Sequence, residues 1–334
     1  MNPYTLKVTF KYVGQGDCIL IEWNEENRLG IGIIDCNKIN DRNVLIDYLN
    51  TIRPEVIDFI FLSHPHKDHY SGLLDVLCWC EEKEVAINLF GHTARNLNEY
   101  VKGIVVMSHE EKRTLSALFR KVRNLAKIGV IKKRGSISDL MGPYSLGTGL
   151  SMRFLAPSEK EYDTFLGTLY NPDLSMKDKP NPNYLCTVAI IETDEWCLLL
   201  TSDVEKKVMQ RITHGPLRGY KKHFILGQVP HHGAKNNHYD TFWKQRNRAH
   251  DSIAAISVGE NNYGHPSPEV IHKLQKNRYQ VHQTWYRQKT KPEIYKISRA
   301  LDLVSNKHIS ISLPTSSAND LAYEISAQGK IRKL

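Results

Sequence analysis

SHPHKDHYSG, residues 63–72, opens on the last residue of VIDFIFLS, a predominantly apolar run with the character of a strand buried on both faces. The loop gathers His64, His66, Asp68 and His69 within six residues. Such a cluster gives no packing benefit, whereas zinc and other borderline metals favour imidazole and carboxylate ligands. Chance is the competing reading, because the chain has 15 histidines. The position of the cluster, where a buried strand ends and a helix begins, favours a metal site.

Upstream, TLKVTFKY, CILIEW and GIGIID read as short strands of a β-meander, separated by Gly14, Gly16 and a loop at 24–27, and a helix over 41–51 leads through Pro54 into the buried strand. Downstream come a helix over about 69–80 and the strand VAINLF. Between 109 and 128, Leu115, Leu118, Phe119, Val122 and Leu125 recur at helical spacing. SMRFLAP, CTVAIIET and WCLLLTS are strand-like, with a Pro- and Asn-rich loop at 171–183. Strand HFILGQV, a helix near 238–246, strand SIAAISV, a helix over 268–276 and strand YQVHQT make a second αβ half, and HISISL with LAYEIS predicts a terminal hairpin. Two mixed sheets packed face to face, with helices on both outer faces, bury this pattern, so the expected class is α/β, a four-layer αββα sandwich. A single domain over 1–334 is expected, with a basic helical insertion at about 105–140 and a C-terminal hairpin at about 305–334.

The 334 residues are 41% hydrophobic and 24% charged, as in ordinary soluble globular proteins. MNPYTLKVTF carries no signal-peptide core and no apolar run reaches the ~18 residues of a membrane helix, so a cytoplasmic protein with no membrane partner is expected. Cys18, Cys36, Cys78, Cys80, Cys186 and Cys197 show no CxxC pairing and read as buried free thiols. The net charge of +9 is concentrated. Lys112, Arg113, Arg120, Lys121, Arg123, Lys127, Lys132, Lys133 and Arg134 lie in one acid-free stretch, and the rest of the chain is balanced. A localised anion-binding surface has this signature, and a solvated face or a contact for an acidic partner protein has it too.

Six ordered segments carry a family resemblance: VGQGDC (13–18), IIDCN (33–37), SHPHKDHYSG (63–72), LLLTSDVE (198–205), VPHHGAK (229–235) and SVGENNYGHPSP (257–268). Together they resemble the metallo-β-lactamase superfamily, in particular the hydrolase domain of DNA-uptake competence proteins. The resemblance implies the metallo-β-lactamase fold and two metal ions, zinc expected and manganese the alternative. His64 and His66 would serve one ion, Asp68 and His69 the second, and Asp203 would bridge both. Asp203 ends an apolar strand, where a bare carboxylate is costly unless a cation or hydrogen bonds receive it, though a helix N-cap is the plainer role. The resemblance also implies a further ligand to the second ion from His231 or His232. Because adjacent residues leaving a strand point to opposite sides, one of the pair is expected to coordinate, with His231 favoured. Asn183 stands where the superfamily usually has a third histidine for the first ion, so that ion is expected to be weaker or partly held by substrate. TSD replaces the commoner Thr-Gly-Asp. Asp17 is expected to shape a turn and Asp35 to support a ligand histidine.

Two metals can hold a hydroxide and neutralise a phosphoryl oxygen, so hydrolysis is the expected reaction, with Asp68 at the catalytic centre and His265 binding the substrate anion or protonating the leaving group. A polyanion suits the basic stretch, with Arg120, Lys121, Arg123, Lys127, Lys132 and Lys133 as phosphate contacts and Asn183 beside the substrate. The leading expectation is a phosphodiesterase or nuclease acting on DNA or RNA. The alternatives are a hydrolase of a small phosphodiester or ester, similar to the phosphorylcholine esterases, and a metal-stabilised subunit of a multi-protein complex.

Overall fold

The computed structural model describes residues 4–24, 28–95, 97–102, 108–170, 181–285 and 320–334. Strands β1 (Tyr4–Phe10), β2 (Ile19–Asn24) and β3 (Leu29–Ile34) form the expected meander, and helix α1 (Val44–Ile52) leads into β4 (Val56–Leu62). Then come α2 (Lys67–Tyr70), α3 (Leu73–Glu82), β5 (Ala86–His92), α4 (Leu97–Lys102), α5 (His109–Lys127) and β6 (Ile131–Ser136). The second half runs β7 (Tyr144–Ser145), β8 (Ser151–Ala156), α6 (Glu159–Leu169), β9 (Val188–Glu192), β10 (Trp196–Leu200), α7 (Lys206–His214) and β11 (His223–Gln228). It continues with α8 (Asp240–Lys244), β12 (Arg248–Ile256), α9 (Pro268–Lys276) and β13 (Gln280–Gln283), and β14 (Leu321–Ser326) and β15 (Ile331–Lys333) close it.

The strands form two sheets, ordered β15-β14-β1-β2-β3-β4-β5-β6 and β13-β12-β11-β10-β9-β8-β7. Both are mixed: β3 to β6 are parallel, as are β10 to β13, and the remaining pairs are antiparallel. Alternation along the strands fills three apolar layers. Val8, Ile21, Phe59 and Phe61 of the first sheet meet Met152, Phe154, Ile191 and Leu198 of the second. On the outer face of the first sheet, Ile33, Ile60 and Phe90 pack under residues of α1, α3 and α5, and on that of the second, Ile190, Leu199 and Ile256 pack under α7, α8 and α9. The result is the αββα sandwich that the sequence implies.

LAYEIS pairs with both β1 and β15. The other half of the expected hairpin, HISISL (308–313), lies outside the described residues. In the basic stretch the helix stops at Lys127, and Lys132, Lys133 and Arg134 stand exposed on β6, an edge strand. Lysines on a sheet edge discourage strand addition by another chain. Five of the six free cysteines are buried as expected, and Cys78 is exposed. No helix among the described residues is long and apolar enough to cross a membrane.

An aromatic stack ties the sheets together under the site. Trp23 and Phe59 stack with centroids 5.9 Å apart, Phe59 and Phe61 at 4.4 Å, and Phe61 meets Phe154 of the opposite sheet edge-on at 5.5 Å. Gly32 gives Phe59 its space: a Cβ there would fall 2.0 Å from the ring. Phe59→Ala is therefore expected to cost about 3–5 kcal/mol, read as a lower denaturant midpoint. A loss under about 1 kcal/mol would mean that the layers close over the gap.

Candidate metal centre

The parallel strands β3, β4, β10, β11 and β12 all end at one edge of the sandwich, and the residues that follow them meet there. Asp35 follows β3, the run from Ser63 to His69 follows β4, Asp203 follows β10, His231 and His232 follow β11, and the loop carrying His265 follows β12. The β1–β2 loop joins them: Asp17 N–H donates to Asp68 O (3.1 Å), and Ser257 Oγ donates to Gly16 O (2.9 Å). Segments more than 240 residues apart in sequence thus share one cleft of about 770 Å³, walled by His66, Asp68, Asp203, His231, His232, His265, Lys67 and Tyr263 among others.

Three groups of candidate donor atoms meet here: Asp68, His69, Asp203 and His232; His64, His66 and Asp203; and, behind His69, Asp17 and Asp35 with His69 itself. His232 Nε2 lies 3.4 Å from Asp68 Oδ2 and 3.5 Å from Asp203 Oδ1, while His69 Nε2 lies 3.5 Å from Asp203 Oδ2 and 4.0 Å from Asp68 Oδ1. These separations are long for hydrogen bonds. The three of 3.4–3.5 Å match the edges of a tetrahedron of ligands, which bonds of ~2.0–2.2 Å to zinc set at about 3.3–3.6 Å, and the His69–Asp68 edge at 4.0 Å is longer. His69 Nε2, His232 Nε2 and Asp203 Oδ1 are buried and have no hydrogen-bond partner. Three unsatisfied polar atoms aimed at one point would be costly in a closed core, and a divalent cation at that point satisfies all three.

The other ring nitrogens are already engaged, which directs the bare ones inward. His69 Nδ1 donates to Asp35 Oδ2 (2.7 Å), and Asp35 also receives Ser63 N–H (2.8 Å) and Ser63 Oγ (2.5 Å). His232 Nδ1 donates to Ser257 O (2.8 Å). His64 Nδ1 lies 3.0 Å from Ser63 Oγ and 3.2 Å from Ser202 Oγ, leaving its Nε2 beside His66 Nδ1 (3.0 Å). A carboxylate or carbonyl behind a ligand imidazole fixes its tautomer and raises its basicity.

Both His231 and His232 face Asp203: His231 Nε2 is 3.5 Å from Oδ2 and His232 Nε2 is 3.5 Å from Oδ1. The strand-like alternation expected for the pair does not occur, because both residues are left-handed (φ 51° and 53°). The geometry groups His232, the less favoured of the two from sequence, with Asp68 and His69, and sets His231 on the side of Asn183 and His265. Asn183 is buried behind His231, its Nδ2 3.5 Å from His231 Nδ1. Asp17 is also buried, where it receives Gln228 Nε2 (2.7 Å) beside His69 and His232 and so braces the site. Ser202, the middle residue of TSD, lies against His64, and Gln228 is a residue that the sequence reading misses, although a glutamine inside HFILGQV is the kind of polar intrusion that marks a site. Arg120, Lys121, Arg123, Lys127, Lys132 and Lys133 do not line the cleft.

Electrostatics follow the same grouping. Burial opposes ionisation of Asp203, but His232, His69 and His231 outweigh it and hold the carboxyl well below the usual range. Burial would depress His232 and His69. For His232, Asp203 and Asp68 overcome it and hold the imidazole at about 9, and for His69, Asp203 and Asp35 raise it well above its usual value. Burial, with His69 and His66 adding to it, pushes His64 well below the ordinary histidine value.

No family model and no curated protein matches the chain. Similar solved structures include the metallo-β-lactamase fold protein YhfI from Bacillus subtilis, at 11% identity and a TM-score of 0.48 over 83% of this chain and 95% of that one. Zinc-bound PqqB from Methylobacterium extorquens is similar at 10% identity and 0.46, over 84% and 98% of the two chains. A diphosphatase of the PhnP family is similar at 10% and 0.38, over 83% and 85%. The likeness is one of fold alone. What the site does is argued from its own residues.

Without metal, His69 and His232 hold protons against Asp203; an imidazole must be neutral to coordinate a metal, so binding would expel those protons. Affinity should therefore rise with pH up to about 9, where His232 loses its proton unaided. Calorimetry of zinc binding at neutral pH, in buffers of different ionisation enthalpy, should report about one to two protons released per protein. Binding with no proton release would contradict the assignment of these imidazoles as ligands.

Proposed function

We propose that the protein is a metal-dependent hydrolase of the metallo-β-lactamase superfamily that cleaves phosphodiesters, with nucleic acid as the substrate. The observation that carries this reading is the convergence of the bare donor atoms of His69, His232 and Asp203 with Asp68 in an open cleft. In this reading His232, His69, Asp68 and Asp203 hold one divalent ion. His64, His66 and the far side of Asp203 hold the other, with the His231 imidazole completing it in place of the usual third histidine. Bound there, two divalent ions, zinc or manganese, would supply an activated water at neutral pH and neutralise charge on a phosphoryl oxygen.

The remaining roles belong to the chain. Asp68, 34% exposed, keeps part of its carboxylate open to the cleft and can accept a proton from the attacking water. Burial, with His231 and His232 adding to it, lowers His265 below its ordinary value, so at neutral pH it is an uncharged imidazole suited to donating a hydrogen bond to the substrate anion. Lys67, exposed on the cleft wall, can pair with a phosphate.

Nucleic acid is favoured over a small phosphodiester by α5. Its first turn reaches the cleft through Glu111, its apolar side is buried, and Arg120, Arg123 and Lys127 stand exposed further along, while Lys121 pairs with Glu81. At 1.5 Å per residue those cations lie about 14–24 Å from Glu111, beyond the reach of a mononucleotide and within that of a longer strand. Lys132 and Lys133 on the edge of β6 extend the same surface. An acidic protein partner is the second occupant that these cations would suit.

Metal-loaded protein should cleave a labelled single strand, and chelation should abolish cleavage. Replacing Arg120, Lys121, Arg123 and Lys127 with glutamine should leave stability nearly unchanged, weaken strand binding, and lower the slope of log affinity against log salt by about 2–4 units. Turnover of a small chromogenic phosphodiester should survive in that variant. An unchanged salt slope would remove α5 from the substrate path, and absence of any phosphodiester cleavage would refute the proposed reaction.

A further inference from the structure

Tyr263 is 76% exposed, the most exposed large apolar side chain among the described residues, and it lines the same cleft as Asp68, Asp203 and His232. An aromatic ring held in water gains nothing from packing, so its surroundings decide whether it is incidental. The loop that carries it is rigidly braced. Asn261 Nδ2 donates to Gly259 O (2.9 Å) and His265 O (2.8 Å), and its Oδ1 receives Tyr263 N–H (3.1 Å) and His265 N–H (3.1 Å). One side chain thus makes four hydrogen bonds across seven residues.

The base of the loop is equally constrained. Gly259 packs so closely on the β1–β2 loop that a Cβ would fall 2.1 Å from the Gly14 carbonyl carbon. Within this frame the Tyr263 ring lies over His265, with centroids 6.0 Å apart and planes 25° from parallel, and His265 lies 5.8 Å from His231. A chain of aromatic rings therefore runs from the donor atoms at Asp203 to the mouth of the cleft, and its last ring shows a free face to solvent.

We propose that Tyr263 is a stacking platform for a planar heteroaromatic group next to the phosphoryl group, a nucleobase, and so determines specificity for nucleotide-bearing phosphodiesters. The inference rests on the phosphodiester reading and deepens it: the ions that the donor atoms would hold receive the phosphoryl group and Tyr263 receives the base. Stacking discriminates little among bases, because each has a π-face, so the platform selects nucleotides as a class. The cations of α5 then act on the strand beyond the first nucleotide.

The test uses two small ligands on the metal-loaded full chain, a nucleoside 5′-monophosphate and ribose 5-phosphate, with affinities read by calorimetry. The nucleotide should bind roughly 5- to 100-fold more tightly than the sugar phosphate. Tyr263→Ala should remove that difference while leaving ribose 5-phosphate affinity unchanged, and Tyr263→Phe should keep it. Equal affinities in the parent protein, or a preference that survives Tyr263→Ala, would overturn the platform while leaving phosphoryl recognition in place. Binding of neither ligand would overturn both the platform and the phosphodiester reading beneath it.

Discussion

Asp203 is a carboxylate with 2% of its surface exposed, at the end of a strand of Trp, Cys and Leu, and the rest of the site answers to it. A charge in that position is strongly unfavourable unless opposite charge and hydrogen bonds replace the water it has lost. Its two oxygens face His64, His69, His231 and His232 at 3.5–3.9 Å, from loops that follow β4 and β11. Protons on His69 and His232 answer that charge when no metal is bound, and divalent ions answer it more completely. The same anion that pulls the imidazole pKa values of His69 and His232 up makes the cluster a candidate cation site.

The sandwich supplies what the loops cannot. Parallel strands from both sheets bring their carboxyl ends to one edge, and the stack from Trp23 through Phe154 holds the sheets in fixed relation beneath it. Above that floor the backbone adopts left-handed conformations at Asp35, Ser202, His231 and His232. Such conformations each cost about 1 kcal/mol or more in a non-glycine residue and persist where surrounding structure over-determines them. Here they bring the candidate donor atoms and the groups behind them together in a fixed arrangement.

Much of this was legible in the chain. The apolar alternation gave two αβ halves and the His-x-His-x-Asp-His loop gave a metal-ligand cluster, because both patterns are local in sequence, whereas Asp203 was joined to that loop by the family resemblance. Asp35 was readable as the support of a ligand histidine from its place in IIDCN. The division of labour between His231 and His232 was hidden, because it depends on two successive left-handed residues where a strand-like alternation was the natural assumption. Gln228, the contact of Ser202 with His64 and the bracing role of Asp17 were hidden because their partners lie up to 211 residues away. β6 was obscured by its composition: an edge strand reading IKKRGS buries Ile131 alone and keeps its lysines in water.

Two divalent ions, one on either side of Asp203, would be seen by anomalous diffraction at the zinc edge from crystals grown with zinc. Two peaks about 3.5–4 Å apart are expected, one among Asp68, His69, His232 and Asp203 and the other among His64, His66 and Asp203. Absence of a peak at Asp203, or zinc bound away from these residues, would contradict this arrangement.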